Sequence, residues 1–296
     1  MSKSLGITIN RYSYTPEAYA YKEYLTRRGV DVQLDEACML DPAHDVHIYF
    51  MGVLPVWRKK GEWKEIHEYQ SLSTPKFSRL KDFFKKNINR EPDGRIFLNG
   101  SVKDKLGFKD AKPYIYRDMG VDDALFQKPN LSPSFDIVYC GSINGRVGLV
   151  EEIKRLADLG FSILVIGAVS IEIRDFLESG GRKVAFTGRV DRKDIPELYR
   201  QCRTGLNYTP DLFPYNMQTS TKSLEYLASG LQVLSNRYQW SSWFSNEFPG
   251  CVIWLDSIRE YRSLGTMSSK NEKIENYRWG NILDRSGFYD FVLQGV

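Results

Sequence analysis

Apolar and polar residues alternate along the chain in two kinds of short run. Some are compact apolar or β-branched stretches, which read as strands; others repeat an apolar position roughly every three to four residues, which reads as helix. In the first half the pattern predicts strands at Gly6 to Asn10, Val30 to Leu34, His47 to Met51, Arg95 to Leu98 and Tyr114 to Tyr116. Helices are predicted at Pro16 to Arg27, Phe77 to Lys86 and Val102 to Leu106. The second half alternates more cleanly. Strands are predicted at Ile137 to Cys140, Ser162 to Ile166, Val184 to Thr187, Gly205 to Tyr208, Gln232 to Leu234 and Val252 to Leu255. Between them fall helices at Gly148 to Leu159, Ile171 to Leu177, Ile195 to Gln201 and Thr221 to Ala228. Strands flanked on both sides by helices imply a parallel, doubly wound sheet. The turn-rich stretch from Asp118 to Pro133 separates the halves, so the expected architecture is α/β, with two Rossmann-like domains, 1–125 and 126–296, facing a central cleft.

Composition narrows the class without changing that picture. A chain of 296 residues can bury two cores of ordinary size, and 42% hydrophobic with 26% charged residues excludes a disordered or fibrous protein. The longest apolar stretch, Ile163 to Val169, is far short of the ~18 residues of a membrane span, and no signal-peptide pattern opens the sequence, so the expected location is the cytoplasm. Cys38, Cys140, Cys202 and Cys251 are scattered with no CxxC pair, which points to neither zinc nor a disulfide framework. The net charge of +4 is unevenly spread. Residues 57–90 hold ten Lys/Arg (58, 59, 60, 64, 76, 79, 81, 85, 86, 90) against four Asp/Glu (62, 65, 68, 82). Such a run is either a solvated helix face and loop or, with Trp57, Trp63, Tyr69 and Phe77 interleaved, a surface for an anionic partner such as phospholipid or nucleic acid.

Open parallel sheets bind ligands beyond the carboxyl ends of their strands, so the loops leaving those strands carry the candidate chemistry. Gly141-Ser-Ile-Asn-Gly-Arg-Val-Gly148 is a glycine-rich strand-to-helix turn whose backbone, with Arg146, suits a phosphate, although a GxxxGxxG spacing is neither the dinucleotide fingerprint nor a P-loop. Thr187-Gly-Arg-Val190 leaves another strand and is either an ordinary turn or a rest for a planar base. In Tyr215-Asn-Met-Gln-Thr-Ser-Thr-Lys-Ser-Leu-Glu225, one of Thr219, Ser220 and Thr221 caps a helix. Lys222 then falls in the first helical turn, where a cation opposes the helix dipole at a cost of about 0.3–1 kcal/mol. A phosphate docked on the exposed N–H groups reverses that sign. Glu225, one turn on, is either a charge favouring the helix start or an acceptor for both hydroxyls of a ribose.

Thr221-Lys-Ser-Leu-Glu-Tyr-Leu-Ala-Ser-Gly-Leu-Gln-Val-Leu-Ser235 resembles the donor-binding motif of GT-B glycosyltransferases of the "glycosyl transferases group one" type, common in bacterial polysaccharide assembly. Met119-Gly-Val-Asp-Asp-Ala-Leu-Phe126 is similar to that family's interdomain linker, Val138 to Ser142 to its first C-domain strand and turn, and Phe186 to Tyr199 to its nucleobase loop and following helix. Trp279 matches an aromatic residue in the family's last helix, here about 272–292, which returns to the N-domain. The resemblance, over about 114–292, implies a GT-B fold. It places Gly141, Ser142 and Arg146 at a diphosphate, Gly188, Arg189 and Val190 at the base, Thr219 to Lys222 (Thr219, Ser220, Thr221, Lys222) at the phosphates, and Glu225 on the ribose; Tyr215 and Asn216, in the same segment, are further donor-binding candidates. Retaining members carry a glutamate where this chain has Met217.

The reaction so implied is transfer of a sugar, a hexose by expectation, from a UDP- or GDP-sugar to an acceptor hydroxyl, with no cofactor and no metal. The acceptor would be a saccharide or lipid-linked, in cell-surface polysaccharide or lipopolysaccharide synthesis. Peripheral contact with an anionic membrane is expected, and nucleic acid is not. Asp122-Asp123 reads as a turn pair rather than a metal-binding DxD. An inverting reaction needs a base, for which His44, Asp45 and His47 are the candidates. A sugar-nucleotide epimerase and a non-catalytic sugar-nucleotide or nucleic-acid binder are the rival readings; transfer to an added acceptor separates them from the first. The charge run yields its own prediction. Replacing Lys59, Lys60, Lys85 and Lys86 with glutamate should release the protein from anionic liposomes in a sedimentation assay, and salt-insensitive or absent liposome binding of the original protein returns those charges to solvent.

Overall fold

The computed structural model describes residues 3–9, 15–50, 59–71, 88–128, 130–213, 215–261, 264 and 271–294. The chain divides into two compact units, Met1–Gly120 with Arg278–Val296, and Val121–Tyr277. The first contains strands β1 (Ser4–Thr8), β2 (Asp31–Asp35), β3 (Val46–Phe50), β4 (Lys64–Tyr69), β5 (Gly94–Phe97) and β6 (Tyr114–Tyr116), with helices α1 (Pro16–Thr26) and α2 (Gly100–Leu106). The second follows with β7 (Phe135–Cys140), α3 (Leu149–Asp158), β8 (Ile163–Ile166), α4 (Ile171–Glu178), β9 (Val184–Gly188), α5 (Ile195–Arg200), β10 (Cys202–Asn207), α6 (Thr221–Ala228), β11 (Gln232–Ser235), α7 (Gln239–Glu247) and β12 (Val252–Trp254). Helices α8 (Trp279–Arg285) and α9 (Phe288–Leu293) return to the first unit.

Each unit is built on a six-stranded parallel sheet, in the order β2-β1-β3-β4-β5-β6 and β12-β11-β10-β7-β8-β9 respectively. In the second unit Ile137, Tyr139, Ile163 and Val165 of β7 and β8 pack, all but inaccessible to solvent, against Leu149, Ile153 and Leu156 of α3. Gly205, in the middle of β10, has a packing reason: a Cβ there would lie 2.1 Å from the ring of Tyr226. The phenol of Tyr226 accepts a hydrogen bond of 3.0 Å from the Cys140 backbone N–H. Gly205 and Tyr226 thus seat α6 across β10 and the end of β7.

Two elements go beyond the sequence pattern. Lys64–Tyr69, KEIHEY, looks like part of a solvated charge run, yet it is the strand β4, and Glu65, His67 and Glu68 are completely buried. β4 lies inside the sheet between β3 and β5, its side chains from Glu65 to Tyr69 are buried on both faces, and paired cations compensate the carboxylates. Glu65 accepts from His67 Nε2 at 2.6 Å and from Arg90 Nε at 2.8 and 2.9 Å. Burial works against its ionisation, but His67 and Arg90 hold its carboxyl below the ordinary range. Glu68 pairs with Arg117, also fully buried, whose guanidinium carbon lies 5.6 Å from the Tyr21 ring centroid and 5.3 Å from that of Trp279. Here burial outweighs the arginine, and the Glu68 carboxyl is pushed up.

The second addition is α7, whose serines and asparagine are weak helix formers; Trp240 and Phe244 on its buried face and a Tyr238 N–H bond of 2.9 Å to Ser241 Oγ fix it. The single last helix expected over 272–292 is instead a 3-10 turn, Glu272–Tyr277, followed by α8 and α9. The helix expected at Phe77 to Lys86 lies outside the described residues. Among the described residues no helix is long and apolar enough to cross a membrane.

Removing one partner of a buried ion pair leaves an uncompensated charge and typically costs about 3–5 kcal/mol. Arg117→Met should therefore lower stability by about that amount in chemical denaturation, with Glu68→Gln in the same chain recovering a large part.

Candidate functional site

A cavity of about 530 Å³ opens at the carboxyl ends of β7 and β10. It is lined on one side by the loop after β7 (Ser142, Asn144 to Val147) and on the other by the end of β10, its loop and the start of α6 (Asn207 to Pro210, Leu212, Tyr215, Gln218 to Lys222). These neighbouring strands are where the order of the sheet reverses: β8 and β9 lie to one side of β7, and β11 and β12 beyond β10. At such a reversal the two loops depart in opposite directions and leave a crevice, the usual ligand position in a doubly wound sheet.

The structure brings most of the sequence-derived phosphate set into this crevice. Gly141 has φ +131°, and a Cβ on it would lie 2.9 Å from Lys222 Cε and 3.3 Å from Nζ. The glycine turn is thus the crook in which the lysine lies, its ammonium 5.6 Å from the centroid of the Tyr139 ring. Burial first, then the like charge of Arg146, lowers the Lys222 ammonium to a pKa of about 8, with Cys140 and Glu225 opposing. The Ser142 carbonyl fixes the opposite wall by accepting from Tyr139 OH at 2.9 Å and from Arg146 Nε at 3.1 Å. Ser142 itself is exposed.

Ser220 is the cap of α6, accepting from Ser223 N at 3.3 Å while donating to Asn207 Oδ1 at 2.9 Å. The Asn207 amide in turn donates to Ser235 Oγ and Tyr238 OH, so Ser220 ties the helix start to the ends of β10 and β11. Thr219 and Thr221 line the cavity on either side of that cap, as does Tyr215. Asn216 does not; its amide donates to Asp211 Oδ1 at 3.0 Å, and Met217 closes the same 3-10 turn.

Glu225 is not on the cavity wall. It lies a turn further along α6, only 9% exposed, with Tyr199 OH 3.4 Å from Oε2 and an Arg192 terminal nitrogen 3.5 Å from Oε1. Burial pushes its carboxyl up, and Arg192, Lys222 and Tyr199 oppose that shift. Arg192 also lies 3.6 Å from Asp122, which caps the turn Asp123–Leu125 through Ala124 N–H, as its reading as a turn carboxylate requires. Arg192 is the member of this cluster that sequence reasoning missed. It stands just past Thr187-Gly-Arg-Val190, and the available signal was a cation at the start of the next helical turn. In that loop Gly188 has φ +70° and its carbonyl accepts from Gly167 N at 2.9 Å, while Arg189 is exposed. Gly188, Arg189 and Val190 do not line the cavity.

The base candidates belong to the first unit. His47 is 2% exposed, its ring stacked on Trp63 at 4.3 Å and bonded to Tyr49 OH and the Asp41 carbonyl. Asp45 accepts from Ser4 N at 2.8 Å, which lowers its pKa, and His44 contacts Gln33. His44 and Asp45 precede β3 at its amino end, opposite the end where parallel sheets bind, and all three side chains have structural partners. Their placement gives no support to the role of base. Of the charge run, residues 57–58 and 72–87 lie outside the described residues; Lys60 pairs with Asp93. No group of three His, Cys, Asp or Glu side chains suited to a metal occurs among the described residues.

Residues 146–260 match a family model described as "Glycosyl transferase-like", which takes in Arg146, Arg192, the loop after β10 and α6. Among curated proteins compared by sequence, none matches. Solved structures match over nearly the whole chain. AviGT4, a glycosyltransferase involved in avilamycin A biosynthesis, is 14% identical with a TM-score of 0.66, covering 99% of each chain. Sucrose-phosphate synthase from Thermosynechococcus elongatus is 13% identical with a TM-score of 0.68, over 99% of this chain and 100% of the other. HepE of Anabaena, solved with UDP and glucose, is 12% identical with a TM-score of 0.64, over 98% and 99%. Two parallel six-stranded sheets in this arrangement define the GT-B fold. The family match falls within the second unit, and the likeness to the solved structures is one of fold.

The electrostatics of the crevice can be checked without a ligand. Lysine-specific NMR should show Lys222 half-deprotonated near pH 8, and Arg146→Gln should move that midpoint upward, because a like charge is removed. A midpoint near the ordinary lysine value of about 10.4 would dismantle this description.

Proposed function

We propose that the chain transfers a hexosyl group from a UDP- or GDP-sugar to an acceptor hydroxyl. The observation that carries this reading is the crevice at the sheet reversal, where Arg146, Lys222 and the start of α6 converge on a space of about 530 Å³. Two cations and a helix N-terminus with nothing anionic among them on the wall suit a diphosphate. Thr219 and Thr221 offer hydroxyls to the same phosphates, with Ser142, Tyr215 and Asn216 at the margins. Glu225 accepts from the ribose diol, and the backbone of Gly188, Arg189 and Val190 meets the base. The solved structures of HepE with UDP and glucose and of a T4 phage enzyme with UDP-glucose support a nucleotide-sugar donor.

In the reaction the acceptor oxygen attacks the anomeric carbon and the bond to the diphosphate breaks. Negative charge grows on the leaving phosphate, where Arg146, Lys222 and the amides of α6 stabilise it more in the transition state than in the bound donor. With these charges in place we propose that no metal is needed, although T4 phage β-glucosyltransferase has been solved with UDP and Mn2+. The acceptor is proposed to be a saccharide or lipid-linked, within cell-surface polysaccharide or lipopolysaccharide synthesis, and met at the surface of an anionic membrane.

Donor binding is testable before the acceptor is known. At about a hundred times its dissociation constant, a nucleotide stabilises the fold by about 2.7 kcal/mol, roughly a 5–10 °C rise in melting temperature. UDP or GDP should produce that rise with EDTA present, and its absence for every nucleoside diphosphate overturns the donor reading. Glu225→Ala should weaken the preferred nucleotide about a hundredfold in calorimetric titration, from two charge-assisted bonds. A lowered melting point with affinity within about threefold leaves Glu225 as a helix-start charge only.

A further inference from the structure

We propose that Arg192 is the positioning residue for Glu225: its guanidinium, braced by Asp122, keeps that carboxylate ionised with both oxygens able to accept, which rests on reading Glu225 as the ribose partner. The geometry consists of two ion pairs through one side chain. Arg192 begins the 3-10 turn Arg192–Asp194 and reaches 3.5 Å to Glu225 Oε1 and 3.6 Å to Asp122 Oδ2. Asp122 is itself fixed by accepting from Ala124 N–H at 3.0 Å. On the other carboxylate oxygen of Glu225, Tyr199 OH stands at 3.4 Å.

These contacts are long for charge-assisted bonds, which settle near 2.7–2.9 Å. One long contact on each oxygen leaves lone pairs free on both, the requirement for accepting two vicinal hydroxyls. A shorter, bidentate clasp would occupy those lone pairs. Arg192 therefore supplies charge without saturating the acceptor.

The charged and titratable groups around Glu225 are Arg192, Lys222, Tyr199, Tyr226, Asp122 and Cys140. Burial favours the neutral acid, Asp122 adds to that, and Arg192 is the strongest opposing charge. Lys222, the second cation, itself loses its proton near pH 8. Without Arg192, burial and Asp122 are opposed only by Lys222 and Tyr199, and the Glu225 carboxyl moves further towards its protonated form. One of its oxygens then becomes a donor and the diol loses an acceptor. The sign follows: removal of Arg192 raises the acid's folded-state pKa, so binding that needs the anion weakens as pH falls and recovers as pH rises.

The experiment titrates UDP, or GDP if that is the stabilising nucleotide, calorimetrically from about pH 6 to about pH 9. It uses the full chain and the variants Arg192→Gln, Arg192→Lys, Glu225→Gln and the double variant R192Q/E225Q. Deprotonation of Lys222 affects every protein, so the ratio of dissociation constants, variant over original, is the quantity read. For Arg192→Gln the ratio should fall by up to about tenfold per pH unit as pH rises. Arg192→Lys, which keeps the charge, should stay within about threefold at every pH, or about 0.7 kcal/mol. In the Glu225→Gln background, Arg192→Gln should add no further loss. A ratio that does not vary with pH, or an undiminished loss in that background, overturns the role of Arg192 while Glu225 stands. Unchanged affinity in Glu225→Gln alone overturns the ribose reading, and this inference with it.

Discussion

Everything in the second unit follows from one constraint: strands of a parallel sheet all point the same way, so every loop that leaves a strand end emerges on one edge. A ligand needs more than an edge; it needs a gap, and the sheet supplies one where its order turns back on itself, between β7 and β10. The rest of the site is arranged about that gap. Gly205 and Tyr226 allow α6 to lie close over it, Asn207 and Ser220 fix where the helix begins, and Gly141 leaves room for the one long side chain that turns back into it.

The charges are arranged at a cost to the empty protein. A cation in the first turn of α6 opposes the helix dipole, and it is tucked beside a second cation and away from water. The protein tolerates this through a softened ammonium at Lys222, and an arriving dianion would relieve each of these tensions together. A site held in this state needs little reorganisation when negative charge develops, which is the condition for electrostatic stabilisation of a transition state. The first unit handles buried charge differently, by pairing: Glu65 with His67 and Arg90, and Glu68 with Arg117.

The alternation of strand and helix was legible because most strands are apolar runs buried on both faces, so the order of elements in the second unit, and the exact span of α6, follow from the pattern. β4 was hidden because its burial is compensated by partners far along the chain; nothing in KEIHEY itself points to Arg90 or Arg117. The loops that line the cavity were readable, since a glycine turn and a first-turn lysine contradict simple helix chemistry. Whether Glu225 stood on the same wall was not readable, as that depends on how far the crevice extends over α6. Arg192 was missed for a similar reason: its partners, Asp122 and Glu225, are distant in sequence on either side. For His44, Asp45 and His47 the sequence shows proximity to a strand end but not which neighbours claim the side chains.

The second unit begins and ends at one place. Val121 N–H donates to the Tyr277 carbonyl at 2.7 Å, and the residues just outside this pair meet as well, with Gly120 against the ring of Trp279. The whole of Val121–Tyr277 is therefore a closed excursion from the path of the first unit, which continues from Gly120 to Arg278 as though uninterrupted. Topologically it is a module inserted into a host: excised at the joint, it has adjacent ends suited to circularisation, and the host can be rejoined by a short link. Such a chain can acquire or exchange its second unit as a single cassette without rethreading the other.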